Sequence, residues 1–428
     1  MMLQGHIDSY YAASSHGFES HAALNESIQT DICIVGGGYT GLSTALHLAE
    51  KGYQVTLLEA EKVGWGASGR NGGHVGVGQR IEQDSLEKMV GLEHAKKLWQ
   101  YGIEAADLVK DLIAKHDIDC DMKQGIIHLA SKYSHVDGME EDIEHLHKVY
   151  GYEDARYCDK AEVGQMIGSE GFHAGHLDNR SVTIHPLNYL LGLAKAAKAA
   201  GVTIYENSRV TSIDYKAPAV IHTDNGQVTA KTLVLACNGY LGKLNKKAAG
   251  KIMPINNFVI ATEPLPEQMA RELIRDDVGV QDSLFVINYW RLSGDNRLVF
   301  GGGENYTSKF PKDIKSFVQK CMLKIYPQLQ DTKIDYGWGG TLAITMNRMP
   351  HFNRPENNVY VAHGYSGHGI PTATFAGKVL AEAISGDSEK FDVFESVPTH
   401  TFPGGTWLRW PGLVAGMSYY ALLDRIGS

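Results

Sequence analysis

Three glycines at a fixed spacing are the residues of this sequence with the clearest chemistry. Gly36, Gly38 and Gly41 directly follow the apolar run 32–35. A buried strand that turns at such glycines into a helix presents free backbone N–H groups and the positive end of the helix dipole to an anion. Gly36 permits the turn, Gly38 lets the backbone approach phosphates, and Gly41 lets the helix lie close to the strand. The motif predicts a site for the pyrophosphate of a dinucleotide.

A carboxylate completes this motif. Glu59 lies 18 positions after Gly41, at the end of a second strand-like run at 54–59, and Gly52 ends the helix between them. An acid at this position accepts hydrogen bonds from the hydroxyls of an adenosine ribose. The sequence therefore favours an adenine dinucleotide whose ribose is not phosphorylated.

Two further glycine-rich segments have polar groups suited to a long ligand. Residues 64–74 contain five glycines together with Ser68, Arg70 and Asn71. So many glycines exclude a regular element, because each costs about 0.5–1 kcal/mol relative to alanine there. We interpret the segment as a loop around the phosphates and the far end of the dinucleotide. A second strand, glycine turn and helix follow at 358–363, 364–370 and 371–385, which would direct a helix N-terminus at a ring system.

The elements that position these residues fall into two groups. Helices are predicted over 83–115 and 186–200, and buried strands at 125–130, 202–206 and 232–239. Apolar and polar residues alternate in segments 210–215, 220–223 and 229–230, on both sides of Asn225-Gly226, which indicates a hairpin. Strands then follow one another at 258–262, 284–291 and 297–302. Strands without helices between them predict an antiparallel sheet, which we assign to a substrate domain.

Composition excludes several classes of protein. The chain has 428 residues, of which 43% are hydrophobic and 21% charged, as expected of a globular protein with two domains. A net charge of −9 argues against a nucleic-acid partner. The five cysteines never have CxxC spacing, so neither disulfides nor a metal site is expected. No secretory signal and no apolar run of about 18 residues is found, which predicts a cytoplasmic protein.

Several motifs together resemble a known family. They are VGGGYTGL at 35–42, GASGRNGG at 66–73, TLVLA at 232–236 with Asn238 and Gly239, the segment 297–303, and GYSGHG at 364–369. They are similar to motifs of the FAD-dependent amine oxidoreductases of the D-amino-acid oxidase, glycine oxidase and sarcosine oxidase superfamily. Within it the sequence most resembles the bacterial gamma-glutamylputrescine oxidoreductases. SYYAA at 9–13 and FPGG at 402–405 extend the resemblance over nearly the whole chain.

The resemblance implies an α/β fold with two domains. One is a Rossmann-like FAD-binding domain of the glutathione-reductase type, and the other is a substrate domain with a mainly antiparallel β-sheet. We expect an N-terminal arm at 1–27, extended over the surface at 9–13. The FAD-binding domain would comprise 28–82, 150–245 and 335–390, and the substrate-binding domain 83–149 and 246–334. A C-terminal tail at 391–428 would contain a short amphipathic helix.

The resemblance also assigns residues to FAD. The glycine motifs would hold the pyrophosphate and the isoalloxazine, Glu59 the ribose, and the backbone of Val210 the adenine. Some sarcosine oxidases tether flavin through a cysteine in the region that matches 338–345; this chain has none there, so non-covalent FAD is expected. The expected FAD contacts are Gly36, Gly38, Tyr39, Thr40, Gly41, Glu59, Ala60, Ser68, Arg70, Asn71, Gly72, Gly73, Val210, Asn238, Gly239, Gly364, Gly367, His368, Gly369 and Ile370.

The chemistry implied is oxidation of an amine. Flavin accepts a hydride from the carbon next to an uncharged amine nitrogen, and the imine is hydrolysed to an aldehyde or a keto acid. The electrons then pass to O2, giving hydrogen peroxide, or to another acceptor. No strong general-base motif is visible, and none is needed if the site lowers the pKa of the substrate amine. A polyamine derivative such as gamma-glutamylputrescine is the expected substrate.

Four residues are candidates for contact with the substrate or the reacting atoms. Tyr289 and Arg291 lie in the strand-rich region, where Arg291 would grip a carboxylate or, alternatively, be a solvated strand-end arginine. His74 and His368 each follow a glycine turn, and a structural, hydrogen-bonded histidine is the alternative for both.

Three other functions and the role of the tail stay open. An oxidase or dehydrogenase of a cyclic or N-substituted amino acid such as L-pipecolate is one alternative, although Pro371 replaces a lysine found in some sarcosine oxidases. The others are an NAD-dependent dehydrogenase and a non-catalytic FAD-binding or membrane-docking protein. The aromatic segment 406–426 packs on its own domain, forms an oligomer contact or rests on a membrane surface.

Overall fold

The computed structural model describes residues 5–17, 19–284, 286–305 and 309–406. The strands in this part of the chain are β1 (Ser27–Val35), β2 (Val55–Leu58), β3 (His74–Val75), β4 (Lys123–Leu129), β5 (Ala155–Cys158), β6 (Gly175–Thr183), β7 (Thr203–Tyr205), β8 (Val210–Asp214), β9 (Ala219–Thr223), β10 (Gln227–Leu235), β11 (Met253–Thr262), β12 (Gly279–Asp282), β13 (Tyr289–Leu292), β14 (Leu298–Asn305), β15 (Ile334–Ile344), β16 (His351–Glu356) and β17 (Val359–His363). The α-helices are α1 (Tyr10–Ala13), α2 (Tyr39–Glu50), α3 (Gln83–Val90), α4 (Leu92–Lys115), α5 (Val136–Tyr150), α6 (Lys160–Met166), α7 (Pro186–Ala199), α8 (Lys246–Ala249), α9 (Glu267–Leu273), α10 (Ile314–Ile325), α11 (Gly369–Ile384) and α12 (Glu389–Glu395).

The first sheet, sheet A, has a parallel core in the order β17-β10-β1-β2-β7. An antiparallel strand, β16, pairs with β17, and the β8–β9 hairpin pairs with β10. The last four residues of β1 are buried, as in a strand covered on both faces. One apolar cluster joins this sheet to α2, α7 and α11, and another joins it to the hairpin. Because the five core strands are parallel, their carboxyl ends lie at one edge of the sheet, where such folds bind ligands.

The second sheet, sheet B, has the order β15-β11-β14-β13-β12-β4-β6-β3, with β5 beside β6. All of its pairs are antiparallel except β12–β4. Trp290 and Phe300 are buried between one face of the sheet and α6, α9 and α10. Strand residues alternate between faces, so the half-buried His128, Gln281 and Tyr289 lie on the other face. The predicted α/β class, with a mainly antiparallel second sheet, is confirmed.

The division of the strands between sheets A and B does not follow the predicted domain boundaries. Segments 150–245 and 335–390, assigned to the FAD-binding domain, include β5, β6 and most of β15, and all three strands pair within sheet B. Conversely, α4 lies in the predicted substrate segment 83–149 but packs on α11, against sheet A. A strand's partners are distant in sequence, and the local apolar pattern does not reveal them.

Other local predictions were also wrong. The arm at 9–13 is not extended on the surface: Ser9 caps α1 by accepting a hydrogen bond from the Ala12 N–H at 3.1 Å, and Tyr11 is fully buried. The helix over 83–115 is broken at Gly91, whose φ of +83° a helix cannot contain. The strand predicted at 284–291 begins only at Tyr289, and α9 interrupts the strand-rich region.

The C-terminal tail is described only up to residue 406. Its first part forms α12, whose Phe391 and Phe394 belong to the main apolar core. The aromatic segment 406–426 lies outside the described residues apart from Thr406. Among the described helices, none combines the length and the apolar character needed to cross a membrane.

Candidate functional site

The first glycine turn joins β1 to α2 and admits no side chain. Gly36 has a φ of +114°, and a Cβ there would lie 2.7 Å from the carbonyl oxygen of Ala236. A Cβ on Gly41 would lie 1.9 Å from the carbonyl oxygen of Gly36. Gly38 precedes α2 and supplies no side-chain cap. The turn is thus tight, and α2 has no side chain at its own N-cap position.

Glu59 lies directly under this turn. Its Oε2 accepts a hydrogen bond from the Gly37 N–H at 2.7 Å and its Oε1 accepts one from the Glu61 N–H at 3.0 Å. Burial raises the pKa of Glu59, and these backbone donors oppose that rise. Ala60 follows at the same edge, and the buried Val210 belongs to the apolar cluster that contains the end of β2. The carboxylate therefore stands at the carboxyl edge of sheet A, as predicted.

Direct hydrogen bonds hold the two glycine turns together. The hydroxyls of Thr40, at the start of α2, and Tyr365, in the second turn, lie 2.6 Å apart. Asn238 Oδ1 accepts a hydrogen bond from the Gly364 N–H at 3.0 Å. A Cβ on Gly239 would lie 2.9 Å from the carbonyl oxygen of Leu342. The structure thus brings the ends of β1, β10 and β17 to one place, although these strands are far apart in the chain.

The loop at 64–74 lies against the same turn. Ser68 Oγ accepts a hydrogen bond from the Tyr39 N–H at 3.2 Å. Asn71 Nδ2 donates to the carbonyl oxygen of Ser68 at 2.9 Å, and its Oδ1 accepts from the Gly73 N–H at 2.9 Å. The side chain of Asn71 therefore fixes the loop, and Gly73, with a φ of +85°, completes its reversal.

The second glycine turn leads into α11. Gly364 and Gly367 have φ values of +75° and +95°, which favour glycine. His368 occupies the N-cap position, and α11 begins with Gly369 and Ile370. This turn is the second helix N-terminus that the sequence predicts beside the ligand.

Three of the four predicted substrate-site residues, His74, His368 and Tyr289, lie where the glycine turns meet sheet B, a region that we call the cleft. His74 and His368 are half-buried, and burial lowers the pKa of each to about 4. His74 Nε2 lies 3.2 Å from the carbonyl oxygen of Val280, so this nitrogen carries the proton. Tyr289 packs edge-on to His74, with ring centroids 5.8 Å apart, and its hydroxyl donates to Asn257 Oδ1. Both imidazoles are neutral at pH 7.

Arg291 does not line this cleft as predicted. Its side chain is 1% exposed, Nε donates to the carbonyl oxygen of Gly72 at 3.2 Å, and Nη1 donates to that of Leu292 at 3.1 Å. Asp121 Oδ2 lies 3.5 Å from Nη1, and the guanidinium also faces Tyr11. These partners hold the guanidinium against the Gly72–Gly73 backbone. Its Nη2 finds no hydrogen-bond partner among the described residues, but the buried side chain presents no surface to a substrate carboxylate.

Comparison with known proteins decides the family. A family model described as "FAD dependent oxidoreductase" matches residues 31–383. The chain belongs to this family. It is similar to gamma-glutamylputrescine oxidoreductase of Escherichia coli (strain K12), with 42% identity over 423 residues and 99% of both chains covered. A probable oxidoreductase, OrdL, of Haemophilus influenzae is 39% identical over 427 residues, covering 99% of this chain and 98% of that protein.

Solved structures share the fold. Glycine oxidase from Geobacillus kaustophilus superposes with a TM-score of 0.71 at 20% identity, covering 87% of this chain and 99% of that one. L-proline dehydrogenase from P. horikoshii gives 0.70 at 22% identity, covering 86% and 96%. The predicted superfamily, the FAD cofactor and the enzymatic nature of the chain are confirmed. The protein is an FAD-dependent oxidoreductase that acts on amine or amino acid substrates.

The residues around the turns fit FAD. The Arg70 guanidinium stacks over the Trp65 ring with its Cζ 4.1 Å from the ring centroid, and Nη1 donates to the carbonyl oxygen of Gly339 at 3.0 Å. Its Nε and Nη2 are buried and find no hydrogen-bond partner among the described residues. Two buried donors on a cation are suited to the oxygens of a polar cofactor. The glycine turns and Glu59 would supply the matching backbone donors and ribose acceptor.

Sequence reasoning missed His176, His128 and Gln281, which align with the predicted Tyr289 on sheet B. His176, His128, Gln281 and Tyr289 lie opposite one another on β6, β4, β12 and β13. Gln281 Nε2 lies 2.6 Å from His128 Nδ1, and the rings of His128 and His176 stack with centroids 5.3 Å apart. One signal was visible: His128 interrupts the apolar run 126–130 at a position that alternation places on the opposite face.

Proposed function

We propose that the chain oxidises the terminal C–N bond of gamma-glutamylputrescine or a similar polyamine derivative, in a putrescine-degrading reaction. The products would be an aldehyde, formed by hydrolysis of the imine, and hydrogen peroxide, formed when O2 reoxidises the cofactor. The 42% identity over nearly the whole of a gamma-glutamylputrescine oxidoreductase supports this substrate class. The observation that carries the proposal is the set of half-buried, neutral polar side chains beside the two glycine turns.

The cleft favours the uncharged form of an amine. Bound FAD supplies the acceptor for a hydride from the carbon next to the nitrogen. A substrate ammonium must first lose a proton, because a protonated nitrogen cannot donate its lone pair to the carbon that loses hydride. Burial holds the pKa of His74 and His368 at about 4, and the same desolvation lowers the pKa of a bound ammonium. The two imidazoles therefore act as neutral hydrogen-bonding groups that orient the nitrogen.

Tyr289 sets the position of the substrate relative to the loop at 64–74. A Cβ on Gly72 would lie 2.4 Å from its ring, and a Cβ on Gly301 would lie 2.1 Å from it. The ring therefore fills the space between the loop and β14. Positioning of this kind is the main contribution that a protein makes to a cofactor reaction.

Anaerobic reduction of the flavin tests the proposal. Purified protein is mixed without O2 with gamma-glutamylputrescine, putrescine, L-pipecolate and sarcosine in turn, and flavin absorbance is followed near 450 nm. We expect gamma-glutamylputrescine to bleach the flavin fastest, and O2 then to restore the colour with one hydrogen peroxide per turnover. Bleaching by L-pipecolate alone would show that the substrate is a cyclic amino acid. Slow recovery in O2 with fast recovery in a quinone would replace the oxidase by a dehydrogenase.

Two finer features of the cofactor and the location of the protein stay predictions. We propose that FAD is bound non-covalently, because residues 338–345 contain no cysteine. Precipitation with acid should release all of the yellow colour into the supernatant. A cytoplasmic location, and a membrane contact through the tail, remain to be tested by fractionation of cells.

A further inference from the structure

The N-terminal arm contributes one large side chain to the interior of the protein. Tyr11, on the short helix α1, is fully buried. Its ring meets the ring of Trp338 on β15 edge-on, with centroids 5.1 Å apart, and that of His185, just before α7, with centroids 4.9 Å apart. The arm precedes residues 31–383, the part of the chain that the family model matches. Its contacts therefore add to the fold something that the family match does not describe.

Two buried side chains beside Tyr11 hold the backbone of the loop at 64–74. Trp338 Nε1 donates a hydrogen bond to the carbonyl oxygen of Arg70 at 2.9 Å, and Arg291 Nε donates one to that of Gly72 at 3.2 Å. Trp338 is 2% exposed and the Arg291 side chain 1%. Both accepting carbonyls belong to the segment that is expected to contact FAD, so the position of this segment depends on where the two donors lie.

Tyr11 lies against both of these donors. Besides its ring contact with Trp338, its phenol is close enough to the guanidinium of Arg291 for each to affect the other. Burial raises the pKa of Tyr11, and the positive charge of Arg291 opposes that rise. The phenol is therefore neutral. Without the ring, both donors would border an empty space, and the groups around such a space collapse into it only in part.

Hydrogen bonds on both sides hold α1 in place. The Tyr10 hydroxyl donates to Asp295 Oδ1, in the turn between β13 and β14, at 2.7 Å. His185 Nδ1 accepts from the Asn188 N–H at 3.1 Å, so Nε2 of this neutral imidazole carries the proton and donates to Ser14 Oγ, 3.0 Å away. The helix is thus tied to sheet B and to α7, which fixes the direction from which Tyr11 enters the core.

We infer that Tyr11 is a positioning residue of the cofactor site: through Trp338 and Arg291 it holds the loop at 64–74 in the shape that binds FAD. It acts through these two side chains rather than by contact with FAD. This role goes beyond the proposed function, because it is the same whichever amine is oxidised. Coupling between two sites is reciprocal, so FAD must stabilise the arm by the same free energy by which the arm strengthens FAD binding.

The test compares three variants with wild type. Tyr11→Leu removes the ring, and Tyr11→Phe keeps it. Tyr326→Leu is the matched control: Tyr326 is also fully buried and lies edge-on to a tryptophan, Trp290, with centroids 6.0 Å apart, but it belongs to the core between sheet B and α6, α9 and α10. For each protein we measure the Kd for FAD by titration of the deflavinated form, the visible circular dichroism of the bound flavin, and the melting temperature without FAD.

We expect Tyr11→Leu to raise the Kd for FAD about 10- to 100-fold and to change the visible circular dichroism, because the loop carbonyls lose their fixed donors. Tyr11→Phe should keep the Kd within about threefold of wild type. Tyr326→Leu should lower the melting temperature at least as much as Tyr11→Leu and leave both flavin signals unchanged. An unchanged Kd in folded Tyr11→Leu, or an equal rise in Tyr326→Leu, would overturn the inference.

A double variant tests the route through Trp338. Trp338→Phe removes the N–H that binds the Arg70 carbonyl oxygen. If Tyr11 acts through Trp338, the rise in Kd of Tyr11→Leu/Trp338→Phe is smaller than the product of the two single rises, because residues in one network are not additive. A rise equal to the product would overturn this route.

Two further measurements cover the remaining outcomes. If Tyr11→Leu does not fold, amide exchange in the wild type decides: FAD should slow exchange in residues 9–13 and 66–73 more than in α10, and an arm that FAD does not protect would overturn the inference. Arg70→Gln tests whether the loop contacts FAD, and an unchanged Kd there would overturn the inference together with the loop assignment. None of these measurements uses an amine, so a failure of the proposed substrate leaves them unaffected.

Discussion

The first glycine turn permits a sharp test of how the fold holds FAD. In Gly41→Ala the new Cβ would lie 1.9 Å from the carbonyl oxygen of Gly36, whereas Cβ atoms essentially never approach a heavy atom closer than 3.0 Å. The obstacle is backbone, so the β1–α2 turn must widen by more than 1 Å. Forced overpacking costs about 1–3 kcal/mol, and the better helix propensity of alanine returns only about 1 kcal/mol.

The chain provides a matched control for this change. Gly138 is the third residue of α5, as Gly41 is the third residue of α2, and a Cβ on Gly138 would meet no heavy atom within 4 Å. Gly138→Ala should therefore raise stability by up to about 1 kcal/mol and leave FAD affinity unchanged. The pair separates the effect of alanine in a helix from the effect of a blocked turn.

The assay is titration of deflavinated protein with FAD, followed by flavin fluorescence, together with thermal unfolding of both forms. We expect the Kd for FAD to rise about 10- to 100-fold in Gly41→Ala, because the widened turn moves the N–H groups that face the pyrophosphate. The melting temperature of the FAD-free protein should also fall. An unchanged Kd in a folded Gly41→Ala variant would refute the assignment of this turn to the pyrophosphate.

Further predictions concern titratable groups in the first glycine turn, on sheet B and in the cleft. Glu59→Gln keeps an acceptor for the turn but loses its charge, so the Kd for FAD should rise about tenfold; titration with FAD measures it. Arg291→Lys should lower the melting temperature and change the substrate KM less than about threefold, because the arginine holds a loop. A KM increase of about 100-fold would instead show that Arg291 binds a substrate carboxylate. Burial raises the pKa of Asp282 to about 6. The folded state therefore keeps this proton between about pH 4 and 6, whereas the unfolded state releases it. The wild type loses stability as the pH rises through that window, and Asp282→Asn, which cannot ionise, does not. The melting temperature of the variant minus that of the wild type should therefore rise over the same window. His74 and His368 have pKa values of about 4, so both are already neutral above pH 6. The rate of flavin reduction by substrate should therefore rise between about pH 6 and 9 only because the substrate amine loses its proton. An inflection near pH 6.5 that His368→Asn abolishes would contradict the low histidine pKa.

The sequence alone was enough to predict those parts of the site that depend on a local pattern. Gly36, Gly41 and Glu59 could be assigned because a strand, a turn and a helix are contiguous, and each residue's role follows from its position in that unit. The parts that failed depend on distant partners. Nothing near β6 shows that it pairs with β4 rather than with sheet A, and nothing near Arg291 shows that Gly72 and Asp121 will surround it.

The same reason explains why the alignment of His176, His128, Gln281 and Tyr289 on sheet B was not predicted. His128 lies 153 residues before Gln281, whereas Gln281 and Tyr289 lie on the consecutive strands β12 and β13. Only the strand register brings His128 beside this pair. Each alone is a polar residue in a strand, for which exposure to solvent is the ordinary interpretation. Their alignment becomes informative once the opposite face is known to be filled by an apolar core.

Tyr289 connects the two halves of the site. Its ring occupies space that side chains on Gly72 and Gly301 would take, and Gly72 lies in the loop that hydrogen bonds attach to the first glycine turn. Behind the same loop, Arg291 donates to the carbonyl oxygen of Gly72. Both residues come from β13, so one short strand of sheet B contacts the loop twice: the Tyr289 ring packs against Gly72, and Arg291 binds the Gly72 carbonyl oxygen. The distance between the cofactor turns and the aligned polar residues of sheet B is therefore set by packing on one short strand. Hydride transfer between two bound molecules requires positioning of this precision.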